Sequence, residues 1–228
     1  LLTEFTPQAK QLYDKLGFFD DLQIRPGIRL YYRLELHKLL PPKRKIFETL
    51  KPVLKIADAG ANLLVDMKAL LFPVKQAKLN WDYVEGITPE IQEFIAEKQD
   101  RQLFKRTKPE LNWALNNPWI LSAAPDETSQ RYYFSSVDRS FDFVNVALRD
   151  AEGALQAFLI FSKRRRTLKL PCCYMVDGAE SLVANVIHWH IHEWGINTFT
   201  TFHPEMLQYY RTNRTFALHK KELKRHYL

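Results

Sequence analysis

The chain has 228 residues, of which 46% are hydrophobic and 26% are charged, a composition typical of globular rather than disordered or fibrous proteins. It holds no run of about 18 uncharged apolar residues and no basic segment followed by an apolar run, so it predicts neither a membrane span nor a signal peptide. Its two cysteines, Cys172 and Cys173, are adjacent, and neighbours rarely bridge each other. This favours a reduced, cytoplasmic location.

The net charge of +7 is concentrated in three basic segments. Residues 37–78 carry nine lysines and arginines against three acidic residues, and the other two segments are 163–166 and 219–228. Such segments can attract nucleic acid or acidic ligands, but a solvated basic surface is the commoner outcome. Because no aromatic stacking motif accompanies 163–166, the sequence does not favour nucleic acid, and we expect these arginines in an exposed turn.

The first 77 residues predict a helix, a strand and a longer helix. Pro7 and Gly17 bracket the first helix, and residues 27–36 alternate as a strand does. From 52 to 72, apolar residues recur every three or four positions, which predicts an amphipathic helix. We expect its apolar stripe to pack on the protein itself rather than on a membrane surface. The stripe comprises Val53, Ala57, Gly60, Leu64, Met67 and Leu71.

The remaining residues predict two helices, a set of strands, and then a closing helix, strand, helix and strand. Thr88 caps the first of these helices, and residues 108–118 form the second. Gly195 suits the end of a helix over about 180–194, and Pro204 suits the start of the last helix. The strand patterns lie at 131–137, 141–150, 154–165, 167–176, 196–202 and near 215–222.

An internal repeat relates the beginning of the chain to its end. Residues 5–13 (FTPQAKQLY) and 202–210 (FHPEMLQYY) share Phe, Pro, Gln and Tyr at a constant offset of 197. Each segment is followed by a phenylalanine and a predicted strand. The repeat therefore predicts the tail of one domain copy and nearly all of a second copy.

The first repeat also carries a family resemblance. Residues 6–18 (TPQAKQLYDKLGF) resemble the closing pattern of the GNAT acetyltransferase superfamily, N-x-x-A-x-x-L-Y-x-K-x-G-F, which a strand follows. The predicted elements of 78–228 follow the order found in the same superfamily. The resemblance implies an α+β fold, a GNAT-like mixed, mostly antiparallel sheet flanked by helices, whose two central parallel strands splay and admit acetyl-CoA. The matching residues are Ala9, Leu12, Tyr13, Lys15, Gly17 and Phe18, and Thr6 stands where asparagine is usual.

The repeat and the resemblance together divide the chain into three parts. We expect residues 1–36 to be the C-terminal remnant of a first GNAT-like domain, 37–77 a basic amphipathic helical connector, and 78–228 a second, degenerate GNAT-like domain. Because a superfamily domain is much longer than 1–36, we expect the chain to be a fragment. The apolar residues of 27–36 need cover, so we expect this strand to pair with a sheet of the same chain or of a second molecule.

The resemblance implies an acyl-CoA-dependent N-acyltransferase that transfers an acetyl group to a small-molecule or peptide amine. Tyr13 matches the tyrosine that, in many members, donates a proton to the departing CoA thiolate. The resemblance also implies cofactor contacts at a further set of residues. These are Thr6, Ala9, Tyr174, Met175, Val176 and Gly178.

The predicted cofactor loop departs from the superfamily's pattern, Q/R-x-x-G-x-G/A. Residues 174–182 (YMVDGAESL) contain one glycine, Gly178, with Asp177 and Glu180 close to it. Carboxylates oppose a pyrophosphate electrostatically, so we expect 78–228 to bind acetyl-CoA weakly and these acids to cap the next helix instead. Two alternatives stay open: a non-catalytic module for substrate binding or for a homodimer, and a tandem transferase with another acyl donor such as aminoacyl-tRNA.

Three histidines at alternate positions, His188, His190 and His192, raise the question of a metal site. On the predicted helix His188 and His192 share a face, but no third ligand has a suitable spacing. We therefore expect no metal, and a partly exposed helix face that carries histidines.

Overall fold

The computed structural model describes residues 7–20, 22–71, 80–99, 105–124 and 137–227, without the side chains of Pro7 and 68–71. The helices α1 to α8 are, in chain order, Pro7–Leu16, Leu36–Leu39, Ile46–Thr49, Lys51–Leu71, Pro89–Lys98, Lys108–Asn116, Glu180–Glu193 and Pro204–Thr212. The strands β1 to β9 are Gln23–Tyr31, Asn80–Tyr83, Leu121–Ser122, Val137–Asp138, Phe141–Arg149, Leu155–Arg164, Thr167–Met175, Thr198–Thr201 and His219–Tyr227. A 3-10 turn at Pro41–Lys43 lies between α2 and α3.

Seven of the described strands form one sheet in the order β2–β5–β6–β7–β8–β1–β9. The β7–β8 pair is parallel, and the other described pairs of this sheet are antiparallel. β3 and β4 form a small parallel pair apart from it. The arrangement confirms the expected α+β fold with a mixed, mostly antiparallel sheet flanked by helices.

Hydrophobic side chains cover both faces of the sheet, because successive residues of a strand point to opposite faces. On one face α7 and α8 pack on the sheet through residues such as Val183 and Met206, both fully buried. On the other face α5 and α6 pack on β5, β6 and β7 through residues such as Ile91 and Leu111. The sheet therefore separates two hydrophobic cores, and β5, β6 and β7 contribute side chains to both.

β1 lies inside the sheet, between β8 and β9, although it comes from the other end of the described chain. All nine of its residues pair with β9, from Gln23 with Tyr227 to Tyr31 with His219, and its last four also pair with β8. Leu30 is 0% exposed, and burying one such aliphatic side chain contributes about 1.5–3 kcal/mol. The expectation that this strand joins another sheet is confirmed, and the sheet belongs to the same chain.

α4 has the predicted amphipathic pattern but turns the opposite face to the protein. Its polar residues Asp58, Asn62 and Asp66 recur every four positions and contact the segment that follows β1. The expected apolar stripe faces solvent instead, with Val53 60% and Leu64 67% exposed. The expectation that this stripe packs on the protein is therefore wrong for the residues described.

Asp58 explains why α4 presents its polar face. It is 3% exposed, and its carboxylate accepts hydrogen bonds from the backbone N–H of Leu36 at 2.9 Å, from that of His37 at 3.0 Å and from His37 Nδ1 at 2.6 Å. Burial raises the pKa of Asp58, but the hydrogen bonds from His37 and Leu36 outweigh it, so that the pKa is lowered overall. The first N–H groups of α2 need acceptors, which an apolar stripe cannot supply.

Arg165 and Arg166 lie in the turn between β6 and β7, as expected, whereas Arg164 is the last residue of β6. Arg164 and Arg165 both donate to the carboxylate of Asp138, which is 2% exposed. The bonds from these arginines lower the pKa of Asp138, although its burial raises it. The segment therefore fixes β4 against the turn.

Most other predicted helices and strands begin and end close to the predicted residues. The Thr88 side chain caps α5 by accepting from Ile91 N at 3.2 Å. β9 begins later than the strand predicted near 215–222, and β2 is a strand that the pattern did not predict. The part of a predicted strand at 131–136 lies outside the described residues. Within the described ranges, no helix has the length and apolar character that crossing a membrane requires.

Gly27 of β1 lies directly beneath the ring of Phe202, and a Cβ at this position would be 2.4 Å from Phe202 Cδ1. We expect Gly27→Ala to displace the ring and to lower the free energy of unfolding by about 1–3 kcal/mol, measured by urea denaturation. The control is Gly60→Ala on α4, where a Cβ meets nothing within 4 Å. A loss in Gly27→Ala no larger than in Gly60→Ala would contradict this account of the contact.

Candidate active site

The parallel strands β7 and β8 separate at a β-bulge. Their pairing ends at Leu170 with Thr201, and β7 continues to Met175 without β8 beside it. At the same place the register between β6 and β7 shifts, so that β7 carries one extra residue. Side chains of β7 therefore change faces, and Cys173 lies in the same core as Leu168. The separation frees one edge of β7 for groups other than a strand.

Three side chains with buried polar atoms meet on the α7–α8 side of the sheet. The ring of Tyr210 lies 5.8 Å from that of His188, and the ring of His188 lies 6.3 Å from that of Tyr32, between centroids. The two tyrosine hydroxyls and His188 Nε2 are buried without a hydrogen-bond partner among the described residues. Because unsatisfied buried groups cost free energy, this polar cluster has the capacity to bind water or a polar group of a ligand.

Tyr210 contacts β8 and belongs to the same core as Cys173 of β7. Its ring centroid lies 5.8 Å from that of Phe199 on β8, and burial, together with Tyr32 and the Cys173 thiol of β7, raises its pKa. Burial also raises the pKa of Tyr32 and lowers the pKa of His188 to about 4. At neutral pH the polar cluster therefore holds two protonated phenols and a neutral imidazole, groups that can both donate and accept protons.

His203 occupies part of the edge that β7 exposes. Burial lowers its pKa to about 4, and a hydrogen bond to the backbone of Cys173 acts in the opposite direction. The backbone N–H of His203 donates to Thr201 Oγ1 at 3.1 Å, which holds the residue at the start of α8.

The turn between β7 and α7 is the place that the superfamily resemblance implies for the CoA pyrophosphate. Gly178 adopts a φ of +84°, and Ala179 rather than an acidic residue stands at the capping position of α7. Neither Asp177 nor Glu180 therefore caps the helix, contrary to expectation. Asp177 is exposed and Glu180 is half-buried, so two carboxylates lie where a pyrophosphate needs positive potential. These residues do not fit acetyl-CoA in its ordinary position.

The other β7 residues predicted for cofactor contact belong to the cores. Tyr174 packs with α5 and α6, whereas Met175 packs with α7, and they are 2% and 5% exposed. Val176 is half-buried and touches both cores. Their side chains support the sheet, and their cofactor role stays a prediction.

The residues predicted at the beginning of the chain lie on α1 or outside the described residues. Tyr13 is half-buried, with its ring 4.9 Å from that of Phe19 between centroids. Ala9 lies one turn earlier on the same helix. Thr6 is not among the described residues. The catalytic role of Tyr13 and the cofactor contacts of Ala9 and Thr6 therefore stay predictions.

His190 is held in an aromatic box. Its Nδ1 lies 2.7 Å from the carbonyl of Val186, and because a carbonyl only accepts, Nδ1 carries the proton. Its Nε2 therefore accepts from the Tyr83 hydroxyl at 3.2 Å. Burial lowers the pKa of His190 to about 4. The rings that enclose it are those of Trp81 at 4.9 Å, Phe161 at 5.2 Å and Trp194 at 4.5 Å.

The three histidines of α7 do not converge on one point. His188 faces the polar cluster, His190 faces Tyr83, and His192 is exposed. The expectation of a partly exposed histidine face is therefore wrong for His190, which is buried, whereas His188 is half-buried and His192 is exposed. Within the described ranges, no group of three or more His, Cys, Asp and Glu side chains is placed to hold a metal ion. That the protein binds no metal stays a prediction.

Sequence reasoning did not find the polar cluster as a unit. The one signal was the repeat, which aligns Tyr210 with Tyr13 at the same offset as the other matches. Tyr32 and His188 come from β1 and α7, and only the insertion of β1 into the sheet brings them together.

Comparison with known proteins gives likenesses to solved structures, while no family model and no curated protein matches the sequence. A conserved protein of unknown function from Enterococcus faecalis V583, a probable N-acyltransferase, superposes with a TM-score of 0.51 and 12% identity over 98% of this chain. Saccharomyces cerevisiae N-myristoyltransferase with bound myristoyl-CoA superposes with a TM-score of 0.42 and 9% identity over 91% of this chain. L-PGS from Bacillus licheniformis superposes with a TM-score of 0.33 and 10% identity over 85% of this chain.

The chain spans 44%, 48% and 49% of the lengths of these three structures, which is less than half of each. The first likeness, together with the mixed sheet and the separated parallel strands, shows that the chain has a GNAT-like fold. The division into a remnant, a connector and a second domain stays a prediction.

Stability should decrease as the pH falls from 7 to 5. His188, His190 and His203, with pKa values of about 4, stay neutral in the folded state, whereas the unfolded chain takes up protons near 6.5. The unfolded state then binds more protons, so the free energy of unfolding falls by up to about 1.4 kcal/mol per pH unit for each histidine.

Urea denaturation at pH 7, 6 and 5 measures this slope, and a His203→Gln variant should reduce it. His192, which is exposed, supplies the control variant His192→Gln with an unchanged slope. Equal stability at pH 7 and pH 5 would show that these histidines are not neutral in the folded protein.

Proposed function

We propose that the chain functions in N-acyl transfer, the movement of an acyl group onto a small-molecule or peptide amine. The observation that carries this proposal is the Tyr210 hydroxyl, which is fully buried and has no hydrogen-bond partner in the described part of the chain. It lies where β7 and β8 separate, and a phenol kept protonated by burial can donate a proton to a leaving group. The GNAT-like fold supports this reaction class by analogy of architecture.

His188 and Tyr32 extend Tyr210 into a group that can move a proton. His188 lies between the two phenols, and its neutral imidazole can accept a proton that a phenol releases. In this proposal Tyr210 is the general acid, His188 is the neighbouring group that can take up and return its proton, and Tyr32 adds a second phenol beside His188. Acyl-CoA is the expected donor for the reaction class, but the turn with Asp177 and Glu180 does not fit it, so no step is assigned to that group.

A second candidate is a non-catalytic GNAT-like module that binds an acceptor or a second copy of the chain. The specific observation in its favour is that Asp177 and Glu180 put two carboxylates in the turn that the superfamily resemblance implies for the donor's pyrophosphate. Activity and donor binding separate this candidate from the first, and they are tested independently below.

Tyr210→Phe separates a catalytic tyrosine from a structural one. Removing a buried hydroxyl without a partner should leave the free energy of unfolding unchanged or slightly higher, since no hydrogen bond is lost. If Tyr210 is the general acid, the rate of acyl transfer should fall by about 10²–10⁴-fold. Mass spectrometry of amine panels incubated with the full chain and acetyl-CoA measures this rate.

The control for this variant is Tyr209→Phe, because Tyr209 is the neighbouring phenol on α8 and is half-buried. It should retain the parent rate. Equal rates in the parent and in Tyr210→Phe would reject the acid role, and no transfer to any amine by the parent would favour the non-catalytic module.

Binding of acetyl-CoA to the parent chain should be weak, with a dissociation constant above about 0.1 mM. Each carboxylate near a phosphate costs on the order of 1 kcal/mol in a partly screened site. The double variant Asp177→Asn, Glu180→Gln should therefore bind about thirtyfold more tightly in isothermal titration calorimetry. The charge-matched control is Asp142→Asn, Glu152→Gln, both exposed residues. Micromolar binding by the parent chain would show that the turn accommodates the cofactor after all.

A further inference from the structure

The face of the sheet opposite α7 and α8 carries a row of cations across four strands. Lys169 of β7 pairs with Thr200 of β8, Thr200 with Arg29 of β1, and Arg29 with Lys221 of β9. Directly paired residues point to the same face of a sheet, so these three cationic side chains stand side by side. Their neighbour Leu30 points into the α7–α8 core, which places the row on the other face.

Two further cations stand on the same face, four residues along the strands. Arg25 of β1 pairs with Arg225 of β9, in the same parity as Arg29 and Lys221. On the same face β1 also carries Gln23, Gly27 and Tyr31, and β8 also carries Thr198. β9 also carries His219, Leu223 and Tyr227 there. None of the described residues at these positions is acidic, so five cations share a face without a carboxylate of the same strands.

A groove of about 210 Å³ opens over these residues, and Arg29, Lys169, Thr200, Phe202 and Arg225 contribute to its lining. Arg29 Nε donates to Thr200 Oγ1 at 3.0 Å, and Thr200 is 3% exposed, so a buried hydroxyl orients this guanidinium group. The Arg225 guanidinium lies 4.0 Å from the centroid of the Phe202 ring. Both arginines are therefore held in place before any ligand arrives, which reduces the entropy lost on binding.

The chemistry of the groove selects its ligand. Cationic side chains that line one groove give it a positive potential, which favours an anionic ligand. A phosphate group matches the paired donors of a guanidinium, and lysine ammonium groups add further donors. A volume of about 210 Å³ suits a small molecule rather than a length of polymer. We propose that this groove binds the phosphate or diphosphate group of a small phosphorylated molecule.

The groove and the polar cluster lie on opposite faces of the sheet. Tyr210, His188 and Tyr32 lie on the α7–α8 side, and none of them lines the groove. The groove also lies before the point at which β7 leaves β8, whereas the turn with Asp177 and Glu180 lies after it. The phosphate-binding proposal therefore does not depend on the proposal of acyl transfer, and each can be tested without the other.

The test is isothermal titration calorimetry of the full chain with inorganic pyrophosphate and with ADP, at about 50 mM salt so that screening is weak. We expect both probes to bind with a dissociation constant below about 1 mM. Arg29→Gln and Lys169→Gln should each weaken binding about five- to tenfold, because each removes a charge-assisted hydrogen bond. Lys55→Gln, which removes an exposed lysine of α4 at the same cost in net charge, should bind as the parent does.

Circular dichroism and urea denaturation of each variant establish that it is folded. If Arg29→Gln loses its fold, Arg225→Gln replaces it, because Arg225 also lines the groove. Failure of both probes to bind, or equal weakening in Lys55→Gln, would overturn the proposal. Tighter binding of a short single-stranded RNA than of ADP would also overturn it, since the face would then serve a polymer rather than a small molecule.

Discussion

The insertion of β1 between β8 and β9 is the constraint on which the rest of the structure depends. β8 pairs with β7 over only four residues, so without β1 it would be a short edge strand with unpaired backbone groups. The same strand sends Leu30 into the core, Arg29 to the cationic face, and the chain after it to Tyr32 in the polar cluster. One nine-residue strand thus supports the core, the candidate active site and the proposed phosphate groove together.

The bulge in β7 is the second determinant, because it ends the pairing with β8 and exchanges the faces of the following side chains. The GNAT-like architecture is retained at this point, but the groups around it are not those that hold a pyrophosphate. Asp177 and Glu180 place negative charge at the start of α7. Positive charge gathers instead on the opposite face, around Arg29. The chain therefore has a GNAT-like backbone, but its positive charge does not lie at the turn that the resemblance implies for a pyrophosphate.

Local patterns predicted most elements of the fold, because caps and periodicity act within a few residues. Pro204, for example, starts a helix both in the prediction and in the structure. The orientation of α4 was not predictable in this way, since Asp58 gains its hydrogen bonds from a segment 22 positions away. The cluster of Tyr32, His188 and Tyr210 shows the same limit, because no spacing rule joins residues that only sheet topology brings together. Local propensity therefore determines which helices and strands form, and tertiary contacts determine which face of each element packs on the protein.

The position of β1 also sets the order in which the protein can fold during its synthesis. β5, β6 and β7 pair with their neighbours in the chain, so this half of the sheet can assemble while the later residues are still being added. β1 leaves the ribosome earlier, but β8 and β9, the strands with which it pairs, are synthesised only later. In that interval Ile28 and Leu30 are exposed on an unpaired strand, which is open to association with other chains. This exposure lasts from the emergence of β1 until that of β8 and β9, the two strands that pair with its edges.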